Sequence, residues 1–132
     1  MRPMEFVVRT RLGTFQPNAD VFVDEDERRI VAVVEVAGAD PESLRIGLDD
    51  GYLIVAGRRC ETARLRRGSF LQKEIVHGEF VKRIPLPVPV EYEGVAASYD
   101  DGLLVVVAPI ATTAYMPTSR TELHVIVKRT HT

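Results

Sequence analysis

The chain has 132 residues, enough for one domain and too few for a second core. Its 19 acidic residues slightly outnumber 17 basic ones and the signs are interspersed, which argues against a nucleic-acid partner, while a single cysteine excludes an internal disulfide. The longest apolar run, residues 103–108, is far too short to cross a bilayer, and the opening MRPMEFVVRT lacks the uninterrupted apolar stretch of a secretory signal; a soluble cytoplasmic protein without a membrane partner is expected.

Residues 1–16 hold two basic-apolar patches, 4–8 and 12–15, with no clear period, and read as a mobile arm. The body begins at Pro17-Asn18-Ala19-Asp20. Residues 21–23 form a short strand, 24–29 a charged turn, and the Val-rich stretch 30–36 a second strand. Gly38 and Pro41 then break the strand, and Asp40 is placed to cap one turn of helix starting at Pro41. Leu44, Ile46 and Leu48 alternate with Arg45 and Gly47, the period of a strand with one buried face. Asp49-Asp50-Gly51 is a tight turn, and 52–56 returns as the partner strand. Residues 60–71 are charged, irregular and longer than the other connections, as functional or disordered loops tend to be. Two further strands, 72–76 and 80–84, flank His77-Gly78-Glu79, and Pro85, Pro87 and Pro89 make the next segment an exposed crossing.

The stretch ASYDDGLLVVVAP, residues 97–109, carries the strongest local signal. Asp101-Gly102 can take positive φ in a tight turn, and the run of branched apolar residues behind it is the buried arm of a hairpin. The tail, 110–132, has one apolar island at 123–127. Short strands separated by Gly, Pro and Asp turns, with no credible amphipathic helix, indicate an all-β antiparallel sandwich and exclude a parallel α/β architecture.

Residues that would carry chemistry are missing from the pattern. Cys60, His77, His124 and His131 have no zinc-ligand spacing, so no metal is expected. There is no G-x-S-x-G, and Asp49-Asp50 and Asp100-Asp101 each precede a glycine, as turn formers do. No Gly-rich phosphate loop ends in Lys-Ser or Lys-Thr, so no nucleotide or other cofactor is expected, and the chain does not read as an enzyme.

Ala97 followed by Asp101-Gly102-Leu103-Leu104 resembles the A-x-x-x-(N/D)-G-(V/L)-L signature of the α-crystallin domain of small heat-shock proteins. The landmarks before it resemble the same domain in the same order. They are Pro17-Asn18-Ala19-Asp20, the segment Val34-Glu35-Val36-Ala37-Gly38-Ala39-Asp40-Pro41-Glu42-Ser43-Leu44, the turn and strand Asp50-Gly51-Tyr52-Leu53-Ile54-Val55-Ala56-Gly57-Arg58-Arg59, and Gly78-Glu79-Phe80-Val81-Lys82-Arg83-Ile84-Pro85-Leu86-Pro87. The resemblance implies an immunoglobulin-like sandwich over 17–109, an N-terminal arm over 1–16 and a C-terminal extension over 110–132. It also implies an ATP-independent holdase that binds unfolding client proteins as a homodimer or higher oligomer.

Roles follow from the resemblance residue by residue. The long loop, with Arg64, Leu65, Phe70 and Leu71, would cross to a partner subunit and pair with its first strand, Asp20, Val21, Phe22 and Val23. A groove between Leu44, Ile46 and Leu48 on one strand and Val95, Ala97 and Tyr99 on another would accept the tail anchor Val125 and Val127, although the same island reads equally well as a last strand of the chain's own sheet. Glu74, Lys82 and Arg83 would supply interface charge, with Lys82 standing where the family usually has Arg and therefore lacking its planar fork. Met4, Phe6 and Phe15 would form the client-binding arm. The alternative is an adaptor of the CS-domain kind, a monomeric sandwich that recruits a partner without holding clients.

Overall fold

A computed structural model of the protein describes residues 15–61, 67–112, 121–123 and 125–127. Among these residues it forms nine strands and two short 3-10 turns. The strands are β1 (Asn18–Asp24), β2 (Arg29–Glu35), β3 (Arg45–Asp49), β4 (Tyr52–Arg59), β5 (Gly78–Pro85), β6 (Ala96–Asp100), β7 (Leu103–Pro109), β8 (Thr121–Leu123) and β9 (Val125–Val127). They make two sheets, one in the order β1-β2-β7-β6-β9 and the other β5-β4-β3-β8. All pairings between these strands are antiparallel except β6 with β9, where Ala97 lies opposite Val125 and Tyr99 opposite Val127.

Turn chemistry sets the two sharpest hairpins. Asp50-Gly51 has φ values of 46° and 82°, and Asp101-Gly102 has 54° and 78°. Positive φ at both central residues gives the primed turn whose twist matches that of the flanking strands. Asp40 accepts the Glu42 N–H with its side chain and starts the 3-10 turn Pro41–Ser43, which fills the step between the two sheets. A second 3-10 turn, Tyr92–Gly94, makes the corresponding step into β6.

The period-two pattern sends one side of each strand inward. Ile30, Ala32 and Val34 from β2 meet Leu104, Val106 and Ala108 from β7, and across the sandwich lie Ile46, Leu48, Leu53, Val55, Phe80 and Ile84, all buried. Tyr99 is buried among them with its hydroxyl satisfied twice: it donates to the Val36 carbonyl at 2.7 Å and accepts from the Ala39 N–H at 3.2 Å. A buried phenol needs such partners, and here they bind β6 to the chain leaving β2. A smaller apolar cluster, Ile54, Ala56 and Val81, lies on the outer face of β4 and β5.

Residues 72–76 do not form the strand expected of them. They are exposed and extend alongside no other strand among the described residues. Ile75 and Val76 are strand formers, but among the described residues the segment has no neighbour with which to make a ladder, and an isolated strand has no net stability in water. The Pro segment crosses between sheets as expected, but it ends in a buried Val90 that bridges to Ile110.

Gly57 shows how tight the packing is. A Cβ there would lie 2.6 Å from Phe80 Cζ and 3.0 Å from Leu44 Cδ2, and Phe80 is fully buried. Gly57→Ala should therefore destabilise the fold by about 1–3 kcal/mol through overpacking, read as a lowered urea midpoint with an unchanged slope.

Candidate functional site

Association surfaces on a sandwich are its edges and the loops beside them, because an edge strand leaves a row of backbone donors and acceptors without partners. Strand β1 is the outermost of its sheet, bound only to β2, in a register that places Val21 opposite Ala32 and Phe22 opposite Val31. Val21, Phe22 and Val23 remain 41%, 52% and 46% exposed, and Asp20 is exposed beside them. Three consecutive apolar residues on a free edge are unusual for a chain that must avoid indiscriminate pairing.

The β1–β2 turn is pinned at Asp24. Its carboxylate accepts the Glu27 N–H at 3.2 Å and the Arg29 Nε–H at 3.1 Å. These contacts, the Glu27 amide foremost, hold the Asp24 pKa below the ordinary aspartate value against the opposing effect of desolvation.

The loop between β4 and β5 carries a second apolar set. Phe70 and Leu71 are exposed, as are Ile75 and Val76. Lys73 holds this segment by pairing with Glu61 at 2.6 Å and lying 4.9 Å from the Phe70 ring centroid, and the Lys73 pairing lowers the Glu61 pKa. Arg64 and Leu65 lie outside the described residues. Glu74 is exposed and accepts from the Gln72 amide; among the described residues it forms no ion pair with Lys82 or Arg83. Lys82 sits at the core-facing side of β5, opposite Val55, and stays partly exposed. Arg83 points the other way, with its guanidinium 4.3 Å from the Tyr52 ring centroid. The three charges expected to act together are thus apart within one chain.

The expected groove is closed by the chain itself. Leu44, Ile46, Leu48, Ala97 and Tyr99 are buried in the core, and Val95 packs against it. The outer edge of β3 is paired by β8, with Ile46 opposite Leu123 and Leu48 opposite Thr121, and the outer edge of β6 is paired by β9. Val125 and Val127 therefore lie at the last strand of the chain's own sheet, the second of the two readings their pattern allowed.

Met4 and Phe6 lie outside the described residues. Phe15, expected in an exposed arm, is instead partly buried against the core. It makes a parallel bridge with Phe80, the two rings are 5.5 Å apart and tilted by 48°, and the Arg59 guanidinium lies 4.4 Å from the Phe15 centroid. Burial of a ring against Phe80 outweighs the polar character of its neighbours. Arg59 was not singled out by sequence, yet it joins three segments. It donates to the Ala37 carbonyl at 3.1 Å and to the Val76 carbonyl through Nε at 3.1 Å and Nη2 at 2.5 Å, besides covering Phe15. The nearby Arg58–Asp40 pair, at 2.9 Å, is exposed and contributes little.

No group of three or more His, Cys, Asp or Glu side chains among the described residues is placed to hold a metal ion, and no helix among them is long and apolar enough to cross a membrane. Comparison with known proteins gives a consistent picture. The model of the Hsp20/alpha crystallin family matches residues 20–125. Small heat shock protein C4 of Rickettsia felis is 27% identical over 93 residues, 70% of this chain and 56% of that protein. A 19.0 kDa class II heat shock protein of Oryza sativa subsp. japonica is 30% identical over 110 residues, 79% of this chain and 63% of that protein. The chain thus spans less than two thirds of either relative. The solved structure of HSP18.5 from E. histolytica superposes with a TM-score of 0.64 at 25% identity, covering 79% of this chain and 97% of that one.

A depressed folded-state pKa stabilises above the unfolded value and ceases to do so as pH falls through the folded one. Asp24→Asn should accordingly lower the urea midpoint at about pH 7, and the gap to the parent should narrow as pH falls below the ordinary aspartate range and Asp24 takes up its proton.

Proposed function

As the chain belongs to the Hsp20/alpha crystallin family, we propose that it is an ATP-independent holdase, acting as a homodimer or larger assembly on unfolding proteins. The observation that carries this reading is the pairing of two incomplete elements in one chain. Strand β1 has a free apolar edge, and the segment 70–76 exposes Phe70, Leu71, Ile75 and Val76 and has no strand partner among the described residues.

Each supplies what the other lacks. Addition of 70–76 from one copy to β1 of another would satisfy a row of backbone groups and cover Val21, Phe22 and Val23 together with Phe70 and Leu71. The exchange is reciprocal, as a two-fold dimer requires. Glu74 would arrive with the exchanged segment, so its role at an interface with Lys82 or Arg83 belongs to the dimer. In this reading the domain over 17–109 is the dimerising body, the arm over 1–16 with Met4 and Phe6 contacts clients, and the extension over 110–132 limits further assembly. Met is suited to irregular client surfaces because its unbranched side chain adapts.

The adaptor alternative draws support from one observation, the pairing of β3 and β6 edges by the chain's own β8 and β9, which leaves fewer open seams. Native mass and client protection separate the two. A holdase elutes as a dimer or larger and suppresses heat aggregation of an unrelated protein without ATP; an adaptor is a monomer that does neither.

Deleting residues 62–70 should convert the dimer to a folded monomer in light scattering, and a persistent dimer would refute loop exchange. Val125→Ser combined with Val127→Ser should loosen β9 from β6 and, by opening that edge, enlarge the assembly, seen as earlier elution; an unchanged elution volume would remove the tail from assembly.

A further inference from the structure

The position of Phe15 describes a binding site as well as a packing contact. Strand β5 is the outermost of its sheet, and among the described residues Phe15 is the only one that pairs with its free edge. The contact combines three features of peptide recognition. A backbone bridge to Phe80 aligns an extended segment along β5, the Phe80 ring receives an aromatic ring at 5.5 Å, and the Arg59 guanidinium covers it at 4.4 Å. Arg59 is held in that position independently of Phe15 by the Ala37 and Val76 carbonyls. The Ala37 contact, which exchange of 70–76 leaves in place, keeps the Arg59 lid over the Phe80 floor.

Phe15 sits at the rim of the fold, only partly buried. Gln16 is exposed, whereas Pro17 is buried and leads into β1. Rotation about Gln16 would lift Phe15 away without separating β1 from β2. Another ring carried on a longer extended segment would take the same seat and could add ladder bonds along β5 beyond Phe80.

We propose that the Phe80–Arg59 socket on the β5 edge is a docking site for an aromatic side chain carried on an extended segment of an unfolding protein, and that Phe15 fills this site in cis as a built-in competitor. The occupant is defined by what already sits there: an aromatic ring with a backbone in strand conformation. The proposal rests on the holdase reading for the identity of its ligand, but the site itself can be tested apart from that reading.

The probe is a fluorescein-labelled peptide of alternating valine and threonine with one central phenylalanine and lysine ends, beside a counterpart with alanine at the centre. Binding is followed by fluorescence polarisation on the full chain. Removing a competitor that fills most sites raises apparent affinity by the inverse of the open fraction, so Phe15→Ala should bind the phenylalanine peptide about tenfold tighter than the parent does. The alanine peptide should gain little, and adding Arg59→Ala should abolish the gain. Phe15→Leu keeps apolar bulk without the ring and should show a smaller gain in the same direction, which preserves the test if Phe15→Ala fails to fold. Unchanged affinity in the folded Phe15 variants, or an equal gain for both peptides, overturns the socket. A parallel aggregation assay separates the two levels: suppression by the parent together with no peptide discrimination defeats the socket alone, whereas peptide discrimination with no suppression by any variant supports the socket and defeats the holdase reading.

Discussion

The need to satisfy backbone groups at sheet edges governs this molecule more than any side-chain chemistry. Two small sheets present four outer strands, β1, β9, β5 and β8, and the chain treats them differently. Strands β8 and β9 come from the tail and cover β3 and β6, while among the described residues β5 is met at its outer edge by Phe15 alone. Strand β1 is left with an apolar edge in the open. Function is proposed where edges are unfinished, since an unfinished edge is both a risk of nonspecific pairing and a means of association.

Holding the sheets in register is the task of the interior. Alternating Ile, Leu and Val side chains from both inner faces supply the burial, and Tyr99 adds a polar lock by satisfying Val36 and Ala39 at the point where the chain passes between layers. Gly57 leaves room for Phe80, which in turn supports Phe15 at the rim. Packing in the centre and availability at the edge are thereby connected through one aromatic residue.

Much of this was readable from local pattern. The Asp-Gly hairpins, the Asp40 cap and the inward sets of β2, β3 and β7 depend on residues close in sequence, whose period and turn preference report directly on structure. The elements that escaped depend on distant partners. Residues 72–76 end in the strand formers Ile75 and Val76, but a strand exists only where another strand is available to pair with it, and composition is silent on that. Phe15 lies in a segment with no period, and its place is set by Phe80 and Arg59, distant in sequence. Arg59 itself reads as one more surface cation until the carbonyls of Ala37 and Val76 are known to converge on it. The tail island suited two destinations equally, because parallel pairing with β6 has no signature within the island.

Ten residues, 111–120, separate Ile110 from the start of β8. A tether of that length keeps the two closing strands close to their seats, at an effective concentration on the order of millimolar. A neighbouring molecule's tail must match that local abundance before it displaces the resident one. In dilute solution each copy therefore finishes its own seam, and only crowding of copies on a common support would let tails trade places. The spacer's residue count, more than its composition, sets where that crossover falls.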